Sequence, residues 1–396
     1  MREKVILLVV VFCCLASAVG CSEKLKGEAC SEQAPGTPAR PGLKHVIVCH
    51  QRGRFCGWPA NNGVWIWGNE ILVGFHQADY VPKDCSHSIG GSGKALLARS
   101  LDGGETWTVE DPENFVADGG EAVPTPGNIN FAHPGFAMRV DTAQFFISYD
   151  RGKTWRGPYE LPDFAIGRPL TARTDYIVNG PQDCLVFLSA KEPRVEAAVQ
   201  DRAFCCRTTD GGKTFQFVSW MTDEPIKIRS VMPSTARCSQ NHLISAMRRR
   251  LDVDISGAKK MRKCWIDVYQ SLDNGQTWEF LSQVADTGSS NGNPPSLVRL
   301  QDGRVCVTYA YRSICSAYRY RWEPQGIRAR ISKDDGNTWG QEIVLRNDAR
   351  TWDIGYTRSV QRPDGKIVTI YYYTTEQIPE QHIAATIWDP DQLSKK

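Results

Sequence analysis

The chain has 396 residues, 41% of them hydrophobic, and a formal net charge of +3. That supplies a large core. The near balance of charge, with no basic run longer than Arg248–Arg250, excludes a surface that tracks a phosphate backbone, so no nucleic-acid partner is expected.

At the N-terminus, MREKVILLVVVFCCLASAVGCSE sets Arg2 and Lys4 ahead of an apolar run from Val5 to about Val19, followed by small residues. This reads as a secretory signal over residues 1–20, too short for a membrane span. Its end admits two readings. Ala16–Ala18 suits ordinary signal peptidase, whereas AVGC resembles a bacterial lipobox with Cys21 as the lipidated residue, lacking the preferred Leu three places earlier. Residues 21–44, rich in Lys, Glu, Pro and Gly, read as a tether. The expectation is an exported monomer, periplasmic, cell-surface or secreted, that meets a membrane only through a lipid anchor at Cys21. Of 14 cysteines, eleven remain without Cys13, Cys14 and Cys21, and an odd number leaves at least one free thiol. No C-x-x-C spacing occurs, so no metal or other cofactor is expected; buried thiols with a few disulfides are, Cys205 and Cys206 pointing to opposite faces of one strand.

From residue 100 onward one octapeptide recurs: SLDGGETW (100–107), SYDRGKTW (148–155), TTDGGKTF (208–215), SLDNGQTW (271–278) and SKDDGNTW (332–339). A match at the Asp, Gly, Thr and aromatic positions is on the order of a one in 10⁵ event per site, so the five are a repeat. Asp accepts from backbone amides just ahead of it, Gly supplies a positive φ, and the flanking residues alternate like strand ends. Each box is therefore a hairpin staple, not a catalytic carboxylate. The starts are 48, 60, 63 and 61 residues apart, the length of a four-stranded antiparallel blade. Strand-like runs fill the intervals, among them VWIWGNEILVGF, CLVFLSA, HLISAM, RVCVTYAY and KIVTIYYY. A second repeat, a Pro or small polar pair ahead of a strand, occurs six times: GWPANNGVWIWGNEILVGF, AHPGFAMRV, GRPLTARTDYIV, IRSVMPSTARCSQNHLISAM, GNPPSLVRLQDGRVCVTYAY and GYTRSVQRPDGKIVTIYYY. The expected fold is all-β, a six-bladed β-propeller over residues 45–396 with five box hairpins on its outer parts. The last blade closes with Ala384–Trp388 or recruits HVIVCH from near the N-terminus.

Five such boxes on a signal-bearing chain resemble the sialidase (neuraminidase) superfamily of six-bladed Asp-box propellers, over roughly residues 45–390. The resemblance implies a Tyr nucleophile helped by a Glu, an Asp acid/base and three Arg that grip a substrate carboxylate. In GYTRSVQRPDGKIVTIYYYTTE, Tyr356 stands at the nucleophile position; a phenol suits an anionic sugar that would repel a carboxylate. HLISAMRRR places the second Arg at Arg248. The third is Arg312 or Arg358, and Arg358, two residues beyond Tyr356 on a strand, would share its face. Arg168, Arg173 with Asp175, and Arg229 add to an electropositive mouth. The first Arg of the family is replaced by Gly57, beside Trp58, and the Glu is absent from VMPSTARCSQ, which offers Ser234 and Thr235 instead. His133 or Asp175 would then supply a base. The acid/base belongs to the long loop HQADYVPKDCSHSIGGSGKALLARS, with His76, Asp79, Asp84 and His87, of which Asp84 and His87 are the candidates. Trp58, Tyr176, Tyr309, Tyr311 and Trp352 are candidates for stacking on sugar rings. The implied function is an exported exo-α-sialidase-type glycoside hydrolase acting on an acidic oligo- or polysaccharide. The alternatives are a uronate lyase or other glycosidase on the same fold, and a non-catalytic glycan-binding propeller.

Overall fold

The computed structural model describes residues 41–84, 86–115, 121–171, 173–191, 201–223, 228–255, 259–313 and 324–393. The signal, the tether and Cys21 lie outside them.

The described chain is almost wholly β. After β1 (Leu43–Cys49), the first blade holds β2 (Arg54–Gly57), β3 (Val64–Trp67), β4 (Glu70–Tyr80), β5 (Ile89–Ser100) and β6 (Thr108–Glu110). β2 and β3 both pair with β4, so they are one inner strand broken by a single helical turn, α1 (Pro59–Asn62). The second blade has β7 (Ala137–Asp141), β8 (Gln144–Ser148) and β9 (Arg156–Glu160). The third has β10 (Tyr176–Val178), β11 (Cys184–Lys191), β12 (Asp201–Thr208) and β13 (Gln216–Trp220), and the fourth β14 (Ile228–Arg237), β15 (Leu243–Ile255), β16 (Lys259–Ser271) and β17 (Glu279–Gly288). The fifth has β18 (Ser296–Arg299), β19 (Val305–Tyr311), β20 (Gly326–Ser332) and β21 (Ile343–Arg346); the sixth has β22 (Gly355–Gln361), β23 (Ile367–Tyr373) and β24 (His382–Trp388), before a last turn α2 (Pro390–Leu393). These six antiparallel sheets make a six-bladed β-propeller. The sixth sheet runs β1-β24-β23-β22, so its fourth strand comes from the N-terminal side and closes the ring, with Ala384–Trp388 inside β24 as the third strand. No helix among the described residues is long and apolar enough to cross a membrane.

Every box joins the third strand of a blade to the fourth. In the fourth blade the Ser271 hydroxyl accepts from the Gly275 amide at 2.7 Å, while Asp273 accepts from the Thr277 amide at 2.9 Å and its hydroxyl at 2.5 Å. The other four boxes repeat the Asp–Thr pattern. The box aromatic wedges against the preceding blade: Trp107, Trp155, Phe215, Trp278 and Trp339 each join the apolar cluster between their own blade and the one before. Six such clusters, one per neighbouring pair of blades, form the core of the described residues.

Two sequence expectations change. In the second blade the box follows β8, so β7 is a second strand, and AHPGFAMRV does not supply the inner one; the described part of this blade has three strands. No disulfide joins the cysteines of the described residues. Cys205 and Cys206 do face opposite ways, into the clusters on either side of the third blade.

Candidate active site

The inner strands of blades one, four and six share a defect. β14 slips register between Val231 and Ser234, β22 between Gly355 and Arg358, and α1 interrupts the first blade. At each slip one large side chain takes a left-handed backbone: Trp58 (φ 60°), Met232 (φ 58°) and Tyr356 (φ 52°). Such a backbone costs a non-glycine residue about 1–3 kcal/mol, and a bulge re-aims the side chain it carries. All three side chains meet in the cluster between blades six and one. Tyr356 is held there by the side-chain oxygen of Asn293, which accepts its amide at 2.9 Å. Gly355 before it (φ 101°) packs so closely that a Cβ would lie 2.4 Å from Ala310 and from Asn293.

Two buried guanidiniums stand against the Tyr356 ring. Arg248 donates to its hydroxyl at 3.3 Å and to the Asn291 carbonyl. Arg312 lies 5.4 Å from the ring centroid and donates to the Ile354 and Gly292 carbonyls and to the Tyr372 hydroxyl. Their relative exposures are 2% and 0%, and among the described residues neither has a carboxylate partner. Positive charge is thus held in the interior with no carboxylate in direct contact among the described residues. Burial alone would raise the Tyr356 phenol, but Arg248, Arg312, Arg173 and Arg229 outweigh it and hold the group below the ordinary phenol value. Burial lowers Arg248 to about 10, with Tyr356 opposing and Arg229 and Arg312 adding to the fall.

Beside the phenol lies a hydrogen-bonded chain. Asp353, 1% exposed, accepts from the Tyr372 hydroxyl at 2.5 Å and from the Gln381 amide at 3.3 Å, and bonds His87 Nδ1 at 2.7 Å. The His87 ring stands between Trp58 (5.1 Å) and Trp352 (5.7 Å) with its side chain 27% exposed, so its Nε2 remains for a ligand. The loop residue chosen from sequence is thereby joined to the start of the sixth blade. Asp84, exposed, meets Trp352 through its own carbonyl, which accepts from the indole at 3.1 Å. A cavity of about 420 Å³ opens between blades one and two, lined by Trp58, Asn61, His76, Arg139, Asp141 and Arg173. Arg173, half-buried, donates to Asn61 at 2.9 Å.

Other candidates fall elsewhere. The bulge breaks the alternation that would have put Arg358 on the Tyr356 face; its guanidinium donates to the Ala60 and Thr174 carbonyls, both at 2.6 Å, tying blades one, three and six together. Asp175 accepts from the Thr235 hydroxyl at 2.8 Å, and burial pushes its carboxyl up to about 7 against the pull of Arg358 and Thr235. Ser234 accepts from the Leu297 amide, so the residues standing where the Glu was expected are inter-blade staples. His133 sits in the pocket around the second-blade box with Tyr149, Asp150 and Arg151, away from Tyr356. At Gly57 a Cβ would lie 2.6 Å from the Phe55 ring, so this backbone has no room for an arginine there. Arg54 instead pairs with Asp79. Of the aromatics, Tyr176 accepts from Trp65 of the first blade and Tyr309 donates to Glu342 within the fifth, so both hydroxyls are engaged in packing. Sequence reasoning missed Asp353 and Tyr372. The only signal was an Asp just ahead of GYTRSV and a tyrosine in YYY, neither of which says that a loop some 270 residues earlier meets them.

The family model described as a BNR repeat-like domain matches residues 132–369, more than half the chain. The chain belongs to the BNR repeat-like family. No curated protein sequence matches this BNR-repeat chain. Among solved structures it is similar to a protein of unknown function from Dyadobacter fermentans, at 20% identity over 88% of this chain and 100% of that one, with a TM-score of 0.62. An α-L-arabinanase of Penicillium chrysogenum in complex with arabinobiose aligns at 14% identity over 86% and 98%, TM-score 0.52. A sialidase of Streptococcus pneumoniae aligns at 10% identity over 84% and 68%, TM-score 0.53. At these identities the likeness shows the fold alone, one that this BNR-repeat chain shares with an arabinanase and a sialidase.

Proposed function

We propose that the protein is an exported glycoside hydrolase of the exo-α-sialidase type that removes a terminal acidic sugar from a glycan. The observation that carries this reading is the pair of buried guanidiniums, Arg248 at the Tyr356 hydroxyl and Arg312 over its ring, neither with a carboxylate partner among the described residues. They favour the phenolate, and with the half-buried Arg173 they make the mouth attractive to a carboxylate-bearing sugar. The arginines thereby replace the activating Glu that the sequence lacks.

In the first step Tyr356 Oη attacks the anomeric carbon and the glycosidic bond breaks, its oxygen taking a proton from His87 Nε2. Asp353 holds Nδ1, fixes the ring and stabilises the imidazolium before transfer. In the second step water gives a proton to His87 and attacks the anomeric carbon, and Tyr356 leaves as the arginine-stabilised phenolate. Trp58 and Trp352, flanking His87, supply apolar faces for the sugars on either side of the cleaved bond. Export rests on the charged and apolar pattern of residues 1–20.

A second reading, a uronate lyase, is favoured by one observation: among the described residues no carboxylate touches the Tyr356 hydroxyl, and a phenol with an imidazole nearby also suits proton abstraction beside a uronate. Incubation with aryl sialosides, aryl glucuronides and polyuronides separates the two. Release of the free acidic sugar with the aryl alcohol supports the hydrolase; an unsaturated product that absorbs in the ultraviolet supports the lyase. Retention of glycan without any product contradicts both.

A further inference from the structure

The propeller carries a second cluster of reactive side chains on the face opposite the Tyr356 mouth. The turn that joins β14 to β15 is closed by the amides of Cys238 and Ser239, which donate to the His242 carbonyl at 2.8 and 3.3 Å. It sets Cys238 and His242 side by side against the fifth-blade box. There Asp335 completes the group, and one ligand-type atom from each of Cys238, His242 and Asp335 lies within 4.8 Å of the others.

Three features distinguish this trio from a chance surface cluster. Asp334, not Asp335, makes the box bonds to Ser332 and Thr338, so the second carboxylate takes no part in the box. Its backbone is left-handed (φ 52°), like that of Gly103, Arg151, Gly211 and Asn274 at the same place in the other boxes, and only the fifth box puts an acid there. The His242 Nε2 is buried without a hydrogen-bond partner, and an orphaned buried nitrogen calls for one.

We infer that Cys238, His242 and Asp335 form a zinc site that staples blade four to blade five. A thiolate, an imidazole and a carboxylate are the donor set that Zn²⁺ takes, with water in the fourth position. The two anionic ligands neutralise the ion. Arg299 donates to Asp335 Oδ1 at 3.2 Å, leaving the other carboxylate oxygen for the metal and orienting it as outer partners of metal ligands do. The sequence hides the site because Asp335 lies almost a hundred residues from the turn and no C-x-x-C announces it.

The test is zinc titration of the chelator-stripped protein against a chromophoric competitor, with cobalt as a spectroscopic probe. One equivalent of zinc binds and raises the melting temperature by a few degrees, and cobalt gives a thiolate charge-transfer band. Cys238→Ser abolishes the band, and His242→Ala and Asp335→Asn weaken zinc binding at least tenfold, while Tyr356→Phe binds as the parent does. Circular dichroism verifies that each variant is folded; Asp335→Asn, at a partly exposed position, keeps the test open if a turn variant does not fold. No stoichiometric binding, or the same binding in folded variants, overturns the inference. Because Tyr356 chemistry is not involved, either outcome leaves the hydrolase reading to its own test.

Discussion

Tyr356 is a phenol that the protein has made easier to ionise by burying cations beneath it. Burial acts against ionisation, so the arginines must win, and removing one of them has a predictable sign. In Arg248→Met the phenol returns toward its ordinary value near ~10. In the proposed mechanism the nucleophile is the phenolate, so the ascending limb of the rate against pH is expected to move to higher pH in that variant. A limb that stays in place removes Arg248 from the ionisation of Tyr356. The proposed mechanism gives His87 a separable role as proton donor to the leaving oxygen. His87→Ala is expected to lose about 10²–10⁴ in kcat on natural glycans but little on a substrate whose aryl alcohol leaves without a proton. Equal losses on both contradict the assignment. Tyr356, Arg248 and His87 were legible because each sits in a local motif or loop. Asp353, Tyr372 and the true direction of Arg358 were not, because a bulge and contacts between the first and last blades decide them.

At the scale of the element, the box hairpin was the most legible part of the chain, since the Ser, Asp and Thr bonds that shape it lie within eight residues. Burial alone would raise the Asp273 carboxyl, but the Thr277 hydroxyl and amide and the Ser271 hydroxyl hold it below the usual carboxylate range. A depressed carboxylate contributes stability that is present above the ordinary value near ~4 and lost as pH falls through the lower folded value. Asp273→Ala is therefore expected to cost about 1–2 kcal/mol near neutrality, with the difference from the parent shrinking below about pH 4. Denaturant melts across pH measure it, and a deficit that persists in strong acid argues against the carboxylate. The inner-strand bulges were the least legible element. Pro59 after Trp58 and Pro233 after Met232 mark two of them, but a register slip follows from packing against neighbouring blades.

At the scale of the whole molecule, blade number followed from counting repeats, while ring closure had two candidate strands until β1 was seen beside β24. Closure makes β1 part of the core: Val46 and Val48 are buried in the cluster that also holds Tyr356. A chain lacking residues 43–49 exposes the edge of β24 and loses that packing, so it is expected to aggregate or to melt well below the parent, as scanning calorimetry or light scattering would show. Unchanged melting would mean that β1 does not close the ring. The same closure brings the His87 loop of the first blade against Asp353 of the sixth, so the reactive groups meet only in the finished ring.

The central claim is that Tyr356 forms a covalent bond with an acidic sugar. Incubation with a fluorinated sialosyl fluoride, which forms the glycosyl-enzyme quickly and releases it slowly, followed by peptide mass spectrometry, tests it directly. One sugar attached to the peptide containing Tyr356, and none in Tyr356→Phe, is the predicted result. Turnover of the acidic substrate with no adduct on that peptide, or with the adduct on another residue, would contradict the account.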